Sequence, residues 1–180
     1  MKLFSVSLLS FTLLIASGCS SSIGSKVKEP FSGKKYSSNA RYFRAVGNGI
    51  STRESVASSK AEIEAHKELA QQIVTTIQVV TDNYTQDVQG EHVDQAIERF
   101  ESLAREITNT TIGDLRKIGE KKYILDDGKY SVYCVYEIKK SAMFRFLKKK
   151  AKLDKKINNM ARTQIINMCE EEIKRLESLE

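Results

Sequence analysis

A stripe of small and then larger apolar residues at four-residue spacing constrains the fold of this chain most strongly. Its members are Ala57, Ala61, Ala65, Leu69, Ile73 and Ile77. Spacing near the helical period predicts a long helix with one buried face. Because alanine side chains are small, the first half of this helix can lie close to a sheet, while leucine and isoleucine fill the wider space beyond. Ser51 or Thr52 offers an N-cap, and the polar stretch 81–90 is expected to be a connection.

The remaining patterns predict an α+β domain. A short strand over 42–50 precedes the helix, and its glycines, Gly47 and Gly49, suit a turn or bulge. A second amphipathic helix is expected over 93–107, followed by strands over 110–118, 121–125 and 129–138. Asp127-Gly128 between the last two is a hairpin signal. From Ser141 onward the chain has no glycine or proline, which predicts an extended C-terminal helix. The order β-α-α-β-β-β-α favours an antiparallel sheet with helices on one face.

The N-terminus has the layout of an export signal. Residues 1–18 comprise a basic start, an apolar stretch too short for a comfortable membrane span, and small residues ending at Gly18. The segment Ile15-Ala16-Ser17-Gly18-Cys19 resembles the lipobox of bacterial lipoproteins. That resemblance implies cleavage between Gly18 and Cys19, with diacylglycerol and an N-acyl chain attached to Cys19. Ser20 resembles the signal that sorts such proteins to the outer membrane of a two-membrane cell.

The segment after the signal predicts a lipidated tether, and the basic charge is concentrated near the other end of the chain. Residues 19–40 are rich in Ser, Gly and Lys and include the single proline, which favours a flexible tether before an α+β domain over 41–140. Removal of residues 1–18 discards Lys2 alone among charged residues and leaves a net charge of +5. The region 141–180 is expected to form a basic, amphipathic helix. Its basic residues over 145–156 suit either a solvated face or contact with an anionic surface, and they are Arg145, Lys148, Lys149, Lys150, Lys152, Lys155 and Lys156.

Few residues have the types and spacing that catalysis or metal binding needs. Cys134 and Cys169 could form a disulfide in an oxidising compartment or remain buried thiols. His66 and His92 have no second ligand at metal-binding spacing, and no nucleophile elbow, phosphate loop or zinc motif occurs. Tyrosines on the paired strands could stack nucleic acid bases, but export to the envelope argues against that ligand. We therefore expect no catalytic residues, no metal, no cofactor besides the lipid, and no nucleic acid partner.

Three segments together resemble a known family. They are Ala45-Val46-Gly47-Asn48-Gly49, the alanine-striped helix and the hairpin segment 127–133. They are similar to those of the small outer-membrane lipoproteins named after a twenty-kilodalton Helicobacter lipoprotein, a family that includes the flagellar lipoprotein FlgP. The resemblance covers residues 41–140 and rests on structural glycines and alanines. It implies a compact α+β domain that assembles with itself or with envelope machinery.

Three functional hypotheses follow. The first is a non-catalytic lipoprotein, anchored in the outer membrane and facing the periplasm, that binds envelope proteins or copies of itself. The second is a periplasmic enzyme or small-ligand carrier with a pocket between helix and sheet. The third is a module that binds membrane surfaces through the lysine tract.

Overall fold

The computed structural model describes residues 24, 29–88, 90–108 and 114–179, and it confirms an α+β fold with an antiparallel sheet. Cys19 and the predicted signal peptide lie outside these residues. The elements in chain order are β1 (Tyr42–Ser51), α1 (Glu54–Asp87), α2 (Glu91–Thr108), β2 (Arg116–Ile124), β3 (Tyr130–Lys139), α3 (Lys140–Leu153) and α4 (Asn159–Glu177). No helix within the described residues is long and apolar enough to cross a membrane.

The sheet has the order β1-β3-β2, with β3 in the centre. Alternate residues of β3 face opposite sides, as the sequence predicts. Val132 and Cys134 are buried against α1, whereas Ser131, Tyr133 and Val135 lie on the side that we call the outer face. Asp127-Gly128 forms the predicted β2–β3 turn, in which Gly128 adopts a φ of 77°. In this left-handed region glycine avoids the steric strain of other residues.

α1 contributes to two clusters of buried side chains. Its alanines at 57, 61 and 65 pack with Val132 and Cys134 of the sheet. Its later apolar residues, from Leu69 to Val80, pack with α2, α3 and α4. A four-residue step turns a helix by about 400°, so the stripe drifts by about 40° at each step. The two halves of α1 therefore present different sides to their neighbours.

Gly47 and Gly49 bring β1 against α1 rather than forming a turn or bulge. A Cβ on Gly47 would lie 1.9 Å from the carbonyl oxygen of Ala61, and one on Gly49 would lie 2.1 Å from that of Ala57. The β1–β3 register is uninterrupted along β1. The bulge occurs instead in β2, between Lys117 and Gly119. The expectation of a glycine bulge in the first strand was therefore wrong.

Three other details differ from the sequence prediction. β2 is one strand where two short strands were expected, because the chain continues in extended conformation through Gly119. The expected connection over 81–90 is helical as far as Asp87. The expected single C-terminal helix is interrupted at residues 154–158, and Asn158 caps α4 by accepting a hydrogen bond from the Ala161 amide at 2.8 Å. The break lets the apolar faces of α3 and α4 enter one core with α1 and α2.

Residues 29–40, called the strap below, fold over part of the outer face, although the sequence suggested a flexible tether as far as residue 40. The Phe31 ring lies over Gly119 beside Val135, and Val135 is fully buried. Ser38 Oγ accepts a hydrogen bond from the Arg44 amide at 2.8 Å and donates to Gln72 Oε1 at 2.6 Å. Residues 29–40 therefore pack against the folded domain.

Candidate functional site

A basic groove of about 700 Å³ lies between α2, α3 and the start of the α3–α4 connection. Its floor contains three apolar side chains, those of Leu103, Phe146 and Leu153. Its walls are charged and comprise Arg99, Glu106, Lys149, Lys150, Asp154 and Lys156. Leu153 is 68% exposed, so part of the floor is open to solvent.

Helical spacing places the groove residues side by side. On α2, positions 99, 103 and 106 are separated by four and three residues and therefore share one face. On α3, positions 146, 149, 150 and 153 do the same. The connection is held by Arg162, whose Nη2 donates to the carbonyl oxygens of Asp154 at 2.8 Å and Ile157 at 2.9 Å. Arg162 thus holds the backbone that carries Asp154 and Lys156 into the groove.

The charges of the groove fall into a paired set and an unpaired set. Arg99 Nε donates to Asp154 Oδ2 at 2.9 Å, and Arg99 Nη1 donates to Glu106 Oε1 at 2.8 Å. The hydrogen bonds that Arg99 donates to Asp154 lower the pKa of Asp154 and raise the pKa of Arg99. Lys149 has no carboxylate partner in the described parts of the chain, whereas the Lys156 amide donates to Asp154 Oδ1 at 2.8 Å. Positive charge therefore remains available to a ligand.

The structure separates the predicted lysine tract into two groups. Arg145 pairs with Glu177, and Lys148 pairs with Glu170 at 3.4 Å, so both hold α3 to α4. The groove takes Lys149, Lys150 and Lys156. Lys152 and Lys155 are exposed and are not among the groove residues. The tract thus partly joins α3 to α4 and partly lines the groove.

The α2 side of the groove is what the sequence analysis missed. Arg99, Leu103 and Glu106 share a helix face that can be identified from spacing alone. Their role depends on α2 lying beside α3, which local sequence does not specify. Asp154 is the single acidic residue of the basic tract, and its basic partner on α2 is Arg99.

The other candidate residues do not converge on a site. Cys134 and Cys169 are free, buried and in different clusters. Burial raises the pKa of both thiols, that of Cys169 to about 12. His66 is exposed and meets the Tyr136 ring edge-on at a centroid distance of 4.6 Å. Within the described residues, no group of three or more metal-ligating side chains comes together.

The tyrosines of the hairpin do not form one stacking platform. Tyr123 and Tyr133 meet edge to face on the outer face, with ring centroids 6.0 Å apart. Tyr130 and Tyr136 pack instead with the alanines of α1. Each side of the sheet therefore receives half of the set.

Comparison with known protein families gave no match, and comparison with curated proteins gave none either. We therefore infer function from the sequence and from the geometry of the chain itself.

Proposed function

We propose that this chain is an exported lipoprotein, cut before Cys19 and anchored by lipid on Cys19 to the outer membrane, with its folded part facing the periplasm. The folded part acts as a non-catalytic interaction module that binds an envelope assembly or further copies of the chain. The groove between α2 and α3 is the binding site in this proposal.

The anchor is supported by the sequence from the basic start to Cys19. Two or three acyl chains hold a protein stably on a bilayer, whereas one chain is marginal. Anchoring also raises the effective concentration of the domain near any partner in the same membrane. Contacts that would be too weak for a free protein can then suffice.

The observation that carries the binding proposal is the combination of three exposed lysines with apolar side chains in one groove. Lys149, Lys150 and Lys156 line the groove together with Phe146 and Leu153, and Lys150 Nζ lies 5.5 Å from the Phe146 ring centroid. A matching partner surface presents carboxylates around apolar side chains. Because each solvent-exposed ion pair contributes at most about 1 kcal/mol, several such contacts and the apolar floor act together.

The geometry disfavours a ligand pocket between α1 and β1. Gly47 and Gly49 bring the strand backbone into contact with the helix backbone at Ala61 and Ala57. The adjoining cluster of Ala65, Val132 and Cys134 is fully buried. A small-molecule site would therefore need to lie elsewhere in the chain.

The anchor is tested by labelling cells with a radioactive fatty acid. We expect wild-type protein to incorporate the label and to sediment with outer membranes, and the Cys19→Ala variant to do neither. Unlabelled wild-type protein would refute the lipoprotein assignment.

The groove is tested by cross-linking in intact cells, comparing Lys149→Glu with Lys67→Glu. Lys67 is exposed on α1 and away from the groove, so both variants change the net charge equally. We expect Lys149→Glu to abolish a cross-linked neighbour that Lys67→Glu retains. Equal loss or equal retention would show that the groove is not the binding site.

A further inference from the structure

β1 lies at one edge of the sheet, so every second residue of this strand directs its backbone groups away from β3. The Lys140 amide donates to the Arg41 carbonyl at 2.9 Å, in the same register that joins β1 to β3. Odd-numbered residues of β1 therefore face β3. The residues that face the free edge are Tyr42, Arg44, Val46, Asn48 and Ile50.

Side chains satisfy the backbone groups at both ends of this edge. The Arg44 amide donates to Ser38 Oγ at 2.8 Å, and the Arg44 carbonyl accepts a hydrogen bond from Gln72 Nε2 at 3.1 Å. At the other end, Lys60 Nζ donates to the Ile50 carbonyl at 3.1 Å. The strap and α1 therefore limit where another chain can pair with β1.

The middle of the edge, at Val46 and Asn48, stays open. Within the described ranges, the outward N–H and C=O groups of these two residues have no hydrogen-bond partner. Val46 is half-buried and Asn48 is exposed, so another chain can approach this part of the strand. Unpaired strand edges of this kind bind extended segments by adding a strand to the sheet.

The side of α1 that borders this opening is acidic. Positions 60, 64, 68 and 72 are spaced by four residues and form one row along the helix. Because Lys60 and Gln72 both reach the free edge of β1, the row follows that edge, with Glu64 and Glu68 in its middle. Both carboxylates are exposed, and neither forms an ion pair in the parts of the chain that the structure describes. A strand added to β1 would therefore run past two negative charges.

The other side of the edge is apolar. The side chains of Val46 and Ile50 lie on the outer face, and Ile50 is 45% exposed. Successive side chains of a strand point to opposite faces of its sheet. An added strand would thus direct every second side chain towards α1 and the others towards the side of Val46 and Ile50. The matching sequence alternates lysine or arginine with apolar residues.

We propose that the free edge of β1 binds an extended segment of another protein, in which lysine or arginine alternates with apolar residues. The segment pairs with the backbone of Val46 and Asn48, and its basic side chains form ion pairs with Glu64 and Glu68. This surface is separate from the groove between α2 and α3. The inference rests neither on that groove nor on the lipid anchor.

The test uses a short synthetic peptide of alternating lysine and valine, and the mature chain, residues 19–180, with Cys19→Ser. Fluorescence anisotropy of the labelled peptide measures its affinity, and hydrogen exchange detected by nuclear magnetic resonance identifies the amides that it protects. A peptide of alternating glutamate and valine is the control for charge.

The free edge of β2 provides an internal comparison. The Leu125 amide donates to the Lys129 carbonyl at 2.8 Å, so odd-numbered residues in this part of β2 face β3. The amides of Glu120 and Lys122 therefore point away from the sheet, as those of Val46 and Asn48 do. They lack the acidic row of α1 beside them, because Lys117 and Lys122 pair with the carboxylates on that side.

We expect the lysine peptide to raise the protection of the Val46 and Asn48 amides by about tenfold and to leave those of Glu120 and Lys122 unchanged. Glu64→Lys should weaken binding by about fivefold, because it replaces an exposed ion pair with a repulsion. Glu98→Lys makes the same change of charge at an exposed position of α2 and should retain the wild-type affinity.

Four results would overturn the proposal. They are no binding of the lysine peptide, equal affinity for the two peptides, equal effects of the two substitutions, and protection of the β2 amides in place of the β1 amides. If the Val46 and Asn48 amides are protected without peptide, and more so at higher protein concentration, the edge binds a second copy and the proposal is also wrong. None of these results bears on the labelling test of the anchor or on the cross-linking test of the groove.

Discussion

Replacing Gly47 with alanine adds a methyl group between two backbones. The new Cβ would lie 1.9 Å from the carbonyl oxygen of Ala61 and 2.5 Å from the amide nitrogen of Ala65. Backbone atoms in the middle of a helix cannot rotate aside as a side chain can. The contact is relieved only if α1 and β1 move apart.

The size of that movement sets the expected loss of stability. Ordinary contact begins at about 3.4 Å, so the two elements must separate by about 1.5 Å along this contact. A gap of only 0.5–1 Å already loses a quarter to a half of the dispersion energy between facing atoms. The residues beside this contact include Ala61, Ala65 and Cys134, all fully buried. We expect Gly47→Ala to lower the free energy of unfolding by about 3 kcal/mol, the upper part of the range for overpacking.

Gly119→Ala provides the matched control. It is also a strand glycine, but its added Cβ would meet the edge of the Phe31 ring at 2.7 Å. That ring belongs to the strap and can shift. Where the backbone conformation suits alanine, a glycine-to-alanine change also stabilises the protein by about 0.4–1 kcal/mol, because it lowers the conformational entropy of the unfolded chain. We therefore expect Gly119→Ala to lower stability by about 1 kcal/mol or less.

The assay is urea unfolding of the mature chain with Cys19→Ser, followed by far-ultraviolet circular dichroism. For urea slopes of about 2 kcal/mol/M, Gly47→Ala should lower the midpoint by about 1.5 M. A midpoint lowered no further than that of Gly119→Ala would refute the reasoning that the α1–β1 spacing depends on Gly47.

Three further predictions concern other parts of the chain. Cys134 and Cys169 should resist a thiol reagent at pH 8 until urea is added, and rapid labelling of the native protein would contradict this. Because burial raises the pKa of both thiols in the folded protein, the free energy of unfolding should fall as the pH rises above about 9, where the thiols of the unfolded chain ionise. Asp154→Asn should cost about 1–2 kcal/mol through loss of its charged hydrogen bonds with Arg99. Since the pKa of Asp154 is lowered in the folded protein, the wild-type chain should lose its extra stability over Asp154→Asn as the pH falls below about 4. A difference in the free energy of unfolding that stays the same in acid would refute this prediction. Phe31→Ala should speed tryptic cleavage within the strap, measured by mass spectrometry, and equal rates would show that the ring does not hold the strap.

The regular elements could be predicted because their signals are local. The four-residue stripe identifies α1, and the alternation along 130–138 assigns each β3 side chain to the correct side of the sheet. Asp127-Gly128 identifies the hairpin turn. These features depend on residues close together in the chain, which is what periodicity detects.

The parts that escaped prediction depend on contacts between distant residues. The role of Gly47 becomes clear only when α1 is placed against it, since the same glycine is equally compatible with a bulge. The strap has no periodic signal, and its order depends on Phe31 meeting Gly119, far along the chain. The groove likewise requires Arg99 and Asp154, separated by 55 positions, to meet. Asn158 is a residue type that commonly caps helices, but the helical pattern on both sides of it favoured a single helix.

Because α1 contributes residues to both clusters of buried side chains, a rotation of one half of this helix relative to the other would disturb one of the clusters. Inserting one residue between Ala65 and Leu69 would turn the second half of the helix by about 100° and advance it by about 1.5 Å relative to the first. The alanines could then stay against the sheet only if the later apolar residues turned away from α2 and α4. Relatives of this chain should therefore change length in their loops and keep the Ala65–Leu69 spacing constant. The length of α1 then sets both the distance and the angle between the sheet and the groove.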